Sequence, residues 1–198
     1  MRGWGPCGSG SIPGSPTESM KTSSSHREIE AKILDINLEE VKSKLHQLKG
    51  ILERETDLSQ VIWWIKNSKV SIRVRERSDG VIRLTMKDKV KDGLGYNEWE
   101  IDVSEYEKTI AIIDRILPEP GLRIDFSHHR EDWNLGGVLI SLNSVPKINP
   151  FIEIEAESEE RVKETANLLG LDTSALIDKG IVQIIIERLN LKQSRIKL

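Results

Sequence analysis

The sequence predicts an α+β fold dominated by an antiparallel sheet closed into a barrel. Three observations lead there. Several segments alternate polar and apolar residues with period two. Consecutive segments of this kind are joined by short turn sequences. Between them stand helix-capping signals followed by stripes of period 3.6, so strands and helices are intermixed along the chain.

The first strand is 27–36, Arg-Glu-Ile-Glu-Ala-Lys-Ile-Leu-Asp-Ile, with Glu28, Glu30 and Lys32 on one side and Ile29, Ala31 and Ile33 on the other. Asn37 then caps a helix, with Glu40 three residues on as a capping box requires. Leu38, Val41, Leu45 and Leu48 form its apolar stripe, and Gly50 ends it. Residues 53–60 are polar and show no period. Residues 61–65 read as a strand in which Trp63 and Trp64 point to opposite faces, at least one of them into the core.

The next two segments, 71–77 and 81–87, form a hairpin whose loop length is decidable. A two-residue turn at Asp79-Gly80 would set Arg75 beside Leu84. A three-residue loop, Ser78-Asp79-Gly80 with Gly80 left-handed, pairs Arg75 with Arg83 and keeps both polar sets on one face. The three-residue loop is therefore predicted. It puts two arginines side by side, which is costly unless an anion lies between them.

Residues 90–95 read as a loop and 97–103 as a strand. Ser104 and Glu107 suggest a second capping box, for a helix lined by Ile110, Ile113 and Leu117 and stopped by Pro118. Strands follow at 122–133 (Arg123, Asp125, His128, Arg130), at 138–145 and around Glu153 and Glu155. Ser158 caps a helix ending near Gly170, and another helix passes through Ile184, Ile185 and Leu189.

The bulk properties limit the function classes. The chain has 198 residues, enough for one domain, here placed at 26–198. Residues 1–25, rich in Gly, Ser, Pro and Thr, read as a disordered extension or an added leader, with Met20 a second candidate start. A net charge of −3 gives no global basic field for nucleic acid. Cys7 is the sole cysteine, which excludes an internal disulfide and fits a reducing compartment. No apolar run reaches the ~18 residues of a membrane span, so a soluble cytoplasmic protein is expected.

The chemistry lies in how the strands sort their charges. Glu-x-Glu alone means little, since it also occurs at 53/55, 105/107 and 157/159. Yet Arg73 and Arg75 share one strand face, Glu98 and Glu100 another, Glu153 and Glu155 a third, and Lys87 joins from a fourth. A solvent face normally mixes signs within a strand. Facing one cavity, these groups suit a divalent cation held by carboxylate oxygens and phosphates held by cationic forks.

In that order, Glu28-x-Glu30-x-Lys32, Arg73-x-Arg75, Lys87, Glu98-x-Glu100, Arg130 and Glu153-x-Glu155 resemble the CYTH, or triphosphate tunnel metalloenzyme, family. The family includes class IV adenylate cyclases, thiamine triphosphatases and inorganic triphosphatases. The resemblance implies an eight-stranded antiparallel β tunnel, a closed barrel with helices packed outside, that binds triphosphates with Mg²⁺ or Mn²⁺. It implies metal-binding roles for Glu28, Glu30, Glu153 and Glu155. Lys32, Arg73, Arg75, Lys87 and Arg130 would hold phosphates. Glu98 and Glu100 would shape the metal or water side, with Glu100 the candidate base.

Two departures stand out: Asn143 where many members place an Asp, and Gly180-Ile181 in place of a common Ser-Tyr, with Lys179 nearby. The expected activity is metal-dependent hydrolysis of a small-molecule triphosphate. The alternatives are a class IV-type adenylate cyclase, with Trp63 or Trp64 near the adenine, and a polyphosphate-binding module without turnover. Membrane partners are not expected, and nucleic acid only as a 5′-triphosphate end.

Overall fold

The computed structural model describes residues 29–89, 96–191 and 194–198. The predicted 1–25 extension, Glu28 and the predicted loop 90–95 lie outside them.

In chain order the elements are β1 (Ile29–Leu34), α1 (Leu38–Gln47), β2 (Ile51–Trp64), β3 (Val70–Arg77), β4 (Ile82–Lys89), β5 (Tyr96–Val103), α2 (Tyr106–Ile116), β6 (Leu122–Leu135), β7 (Val138–Ser144), β8 (Phe151–Ala156), α3 (Glu159–Leu168), α4 (Ile181–Leu189) and β9 (Arg195–Lys197). A 3-10 turn, Thr173–Ala175, precedes α4. No helix among the described residues is long and apolar enough to cross a membrane.

Eight strands run in the order β1-β8-β7-β6-β2-β3-β4-β5, every neighbour antiparallel, and β9 adds a parallel pairing to β6. The expected closure is not met. Among the described residues no ladder joins β1 to β5, so hydrogen bonds do not close the sheet into a barrel. It is nonetheless strongly bent. β8 and β3 are four ladder steps apart, which would be roughly 19 Å in a flat sheet, yet Arg73 on β3 lies in the field of Glu153 on β8.

The β3–β4 hairpin has the predicted loop. Arg77 N–H donates to Val81 O at 3.0 Å, Gly80 has φ +84°, and Arg75 is the ladder partner of Arg83. β2 is much longer than 61–65. Its first half has polar residues on both faces and an exposed start at Ile51 and Leu52, and it is held by its ladder to β6 rather than by burial.

Helix starts divide into two kinds. Asn37 Oδ1 accepts from Glu39 N at 3.1 Å while its Nδ2 donates to Glu40, and Ser158 Oγ accepts from Arg161 N at 3.1 Å. The capping box expected at Ser104 is not formed. α2 begins one residue later, at an N-cap Glu105 that makes no side-chain cap bond. Thr109 Oγ1 instead donates to Glu105 O at 2.6 Å.

Three helices cover the convex face. Val41 and Leu45 of α1 and Val162 and Ala166 of α3 bury against Ile33, Ile140, Ile152, Ile154 and Trp133. Each fully buried aliphatic residue there contributes about 1.5–3 kcal/mol. α2 seals β2, β3 and β4 through Ile110 over Val61, Trp63 and Val74. α4 departs from the expectation that all helices pack outside. Its Val182 and Ile185 pack against Ile62, Ile124, Phe126 and Phe151, residues that share strand parity with Arg73, Arg130 and Glu153. The concave face is thus covered by α4 at one end.

Candidate functional site

Side chains two apart on a strand share a face, and residues opposite in a ladder share it too. The registers Lys32↔Glu153, Arg75↔Arg83, Arg73↔Thr85, Thr85↔Glu100, Lys87↔Glu98 and Arg130↔Asn143 therefore put Glu30, Lys32, Arg73, Arg75, Lys87, Glu98, Glu100, Arg130, Glu153 and Glu155 on the concave side. Glu28 is outside the described residues.

Two networks line this face. On β1, β6, β7 and β8, Lys32 Nζ bonds Glu30 and stands 3.5 Å from Glu153 Oε1. Arg130 reaches Glu153 Oε2 at 3.3 Å and Asp132 Oδ1 at 2.6 Å, and donates to Ser141 Oγ at 2.6 Å; Ser141 in turn donates to Asp132. On β3, β4 and β5, Arg73 lies 3.8 Å from Glu98 and 3.7 Å from Glu100. Arg83 meets Glu100 at 3.2 Å, Lys87 meets Glu98 at 3.1 Å, and Thr85 donates to Glu100 at 2.8 Å.

The cations are not fully satisfied. The Nε of Arg73 is buried with no hydrogen-bond partner. Among the described residues no hydrogen bond or ion pair reaches Arg75. Loss of solvent, with Arg73 and Arg130 adding repulsion, pushes its guanidinium down to about 9. It is therefore still charged at neutral pH. Burial works to raise the Glu153 carboxyl, but Lys32 and Arg130 hold it below the usual carboxylate range. Glu100 is likewise held low against burial, by Thr85 and Arg83. A carboxylate so stabilised is a weak base. His128, on the same face, is pushed down to about 4 chiefly by burial, so it is neutral at pH 7.

Not every expected group falls into place. The ammonium of Lys32 lies between Glu30 and Glu153, so these two carboxylates already meet a cation of the chain itself. The described His and carboxylate groups that do converge are Glu55, His129 and Glu131, on the convex side. There Lys42 already pairs with Glu131 at 2.5 Å. Trp63 is fully buried on the convex side with its indole N–H on Asp114 at 2.8 Å, so it cannot face an adenine in the concavity; Trp64 is 36% exposed. Lys179 pairs with Glu187 at 2.6 Å on the flank of α4. Asn143 is buried opposite Arg130 and donates to Ser141 O at 3.2 Å. Asp132, Ser141 and Thr85 were not singled out from sequence. Asp132 and Thr85 share parity with Arg130 and Lys87, which is the one signal that could have found them.

A family model for the CYTH domain matches residues 26–179. The chain belongs to the CYTH family. No curated protein matches it. Among solved structures this CYTH chain is similar to the protein PH1012 of Pyrococcus horikoshii, with a TM-score of 0.70 and 24% identity over 79% of this chain and 98% of that one. It is similar to a candidate adenylate cyclase of Vibrio parahaemolyticus (0.67, 15%, 81% and 98%). It is also similar to HpAC1 of Hippeastrum, a candidate adenylyl cyclase reported to have a dominant triphosphatase activity (0.58, 14%, 84% and 97%). At these identities the likeness establishes the shared fold.

Proposed function

We propose that this CYTH protein is a divalent-metal-dependent triphosphatase. The observation that carries the reading is the Arg73–Arg75 pair: adjacent cations on the concave face, one with an orphaned buried N–H and the other with no hydrogen bond or ion pair among the described residues. Guanidinium forks left open in this way fit phosphate oxygens bidentately. Arg130, Lys32 and Lys87 supply further positive charge from β6, β1 and β4.

The carboxylates that would hold Mg²⁺ or Mn²⁺ are Glu30, Glu153 and Glu155, with Glu28 beyond the described residues. They fit in the chemistry of their oxygens, which are the hard donors such ions prefer. When bound, the ion would neutralise phosphate charge and acidify water. The residues of the chain bind and orient. Arg73 and Arg75 grip the phosphates, and Glu98 and Glu100 hold Arg73 in position from β5. Arg130 is fixed by Asp132, Ser141 and Glu153. The depressed Glu100 is better suited to this counter-charge role than to taking a proton.

The test is incubation with inorganic triphosphate, ATP and thiamine triphosphate under Mg²⁺ or Mn²⁺, with products identified by mass spectrometry. Orthophosphate release supports the hydrolase, whereas cyclic AMP with pyrophosphate would replace it by the cyclase. No turnover of any of the three would overturn the enzymatic reading.

A further inference from the structure

The hairpin end of the concave face, away from α4, carries a second concentration of positive charge, of which only Arg75 belongs to the family pattern. Arg54, Arg75, Arg77 and Arg83 line one narrow cleft with Val81. They come from three neighbouring strands: Arg75 opposes Arg83 in the β3–β4 ladder, Arg77 follows on β3, and Arg54 arrives from β2 just after the irregularity between Leu52 and Arg54. Gathering four guanidiniums costs free energy unless anions compensate them.

The compensation present is one-sided. Arg77 is held by Asp79 in the exposed loop, and Arg83 by Asp102 at 3.0 Å and Glu100 at 3.2 Å. Among the described residues the one ion pair of Arg54 is with Asp132, at 3.8 Å, and its own side chain is 48% exposed. Asp79 and Asp102 are themselves well exposed, at 51% and 69%. None of these four carboxylates makes an ion pair with Arg75. Each guanidinium has five N–H donors, so donors remain for a further anion in the cleft.

We propose that Arg54, Arg77 and Arg83 extend the Arg73–Arg75 grip into a second anion subsite, selecting linear polyphosphates longer than three phosphates. This rests on the triphosphate reading above. Moving from Arg75 to Arg77 advances about 7 Å along the strand, the span of roughly two further phosphate units. Arg75 is shared by both subsites, so one continuous chain would run from Arg73 past Arg75 to the open end.

Calorimetry without metal, where no turnover intervenes, compares inorganic triphosphate with linear hexaphosphate on the full chain. Overlapping triphosphate windows alone favour the longer chain by up to about fourfold. A second subsite should raise the preference to tenfold or more, and Arg54→Ala or Arg77→Gln should return it to the statistical value. Arg54 is exposed, so its variant keeps the test open if Arg77→Gln fails to fold. A wild-type ratio of fourfold or less, or a ratio that both folded variants leave intact, overturns the subsite. Binding of neither chain would bring down the triphosphate reading along with it.

Discussion

Lys32 on β1 and Glu153 on β8 face each other directly across the ladder, with Nζ 3.5 Å from Oε1 and side chains only 6% and 14% exposed. Glu153 also holds Arg130, so one carboxylate balances two cations in a place with little water. Glu153→Gln should therefore do more than weaken metal affinity. It leaves Lys32 to Glu30 alone and Arg130 to Asp132 alone, and should lower unfolding free energy by up to about 3–5 kcal/mol. The double variant Lys32→Met/Glu153→Leu should recover most of that while binding no triphosphate. Urea unfolding measures both, and a single variant within about 1 kcal/mol of wild type would refute the coupling.

Arg75 makes the opposite case. Arg75→Ala removes a cation with no partner beside Arg73 and Arg83, so unliganded stability should hold or rise, by up to about 1 kcal/mol. Activity should fall by the equivalent of about 2–4 kcal/mol of transition-state stabilisation. Melting temperature with and without triphosphate tests this. A variant that melts lower than wild type yet keeps the ligand-induced shift would place Arg75 outside the site.

His128 gives the fold a pH dependence of defined sign. Its pKa is about 4 in the folded chain and about 6.5 unfolded. Between those values the unfolded chain binds the extra proton, so stability is lost as pH falls from 6.5 toward 4, by at most about 3 kcal/mol. His128→Gln should flatten that segment of the stability profile. If wild type and variant run parallel from pH 7 to pH 4, the imidazole is not held neutral by burial.

Gly80 isolates a backbone effect. It lies at φ +84° with nothing within 4 Å of where a Cβ would stand. Gly80→Ala should cost about 1 kcal/mol through conformation alone, with triphosphate affinity kept. A cost above roughly 3 kcal/mol would mean the loop contributes packing, not only a turn.

What could be read from the chain, and what could not, follows from the range of the interactions. The β3–β4 register was legible because parity, loop length and one glycine decide it within 17 residues, 71–87. The concave set was legible as ordered charged strand faces. Residues 51–60 hid a strand because their stability comes from pairing with β6, more than 60 positions away, rather than from an alternating face. The Arg130–Asp132–Ser141 network spans only 11 positions, but it was hidden because it needs the register of the β6–β7 ladder to assemble. Helix α4 was legible as apolar, but no local pattern says which side of a sheet an apolar helix will cover. The missing Ser104 cap shows how a one-residue shift in a helix start defeats a correct motif.

Among the described residues no ladder joins β1 to β5, and this alters what sets the width of the site. In a closed barrel the radius is fixed by strand number and stagger. Here the concave sheet is a cuff rather than a pipe, with Glu30 near one lip and Glu98 and Glu100 near the other. Its bore is then governed by charge. On the proposed reading, repulsion among the crowded guanidiniums would press the empty cuff open, and a bound polyanion would draw its walls inward. The ligand would act as the clasp.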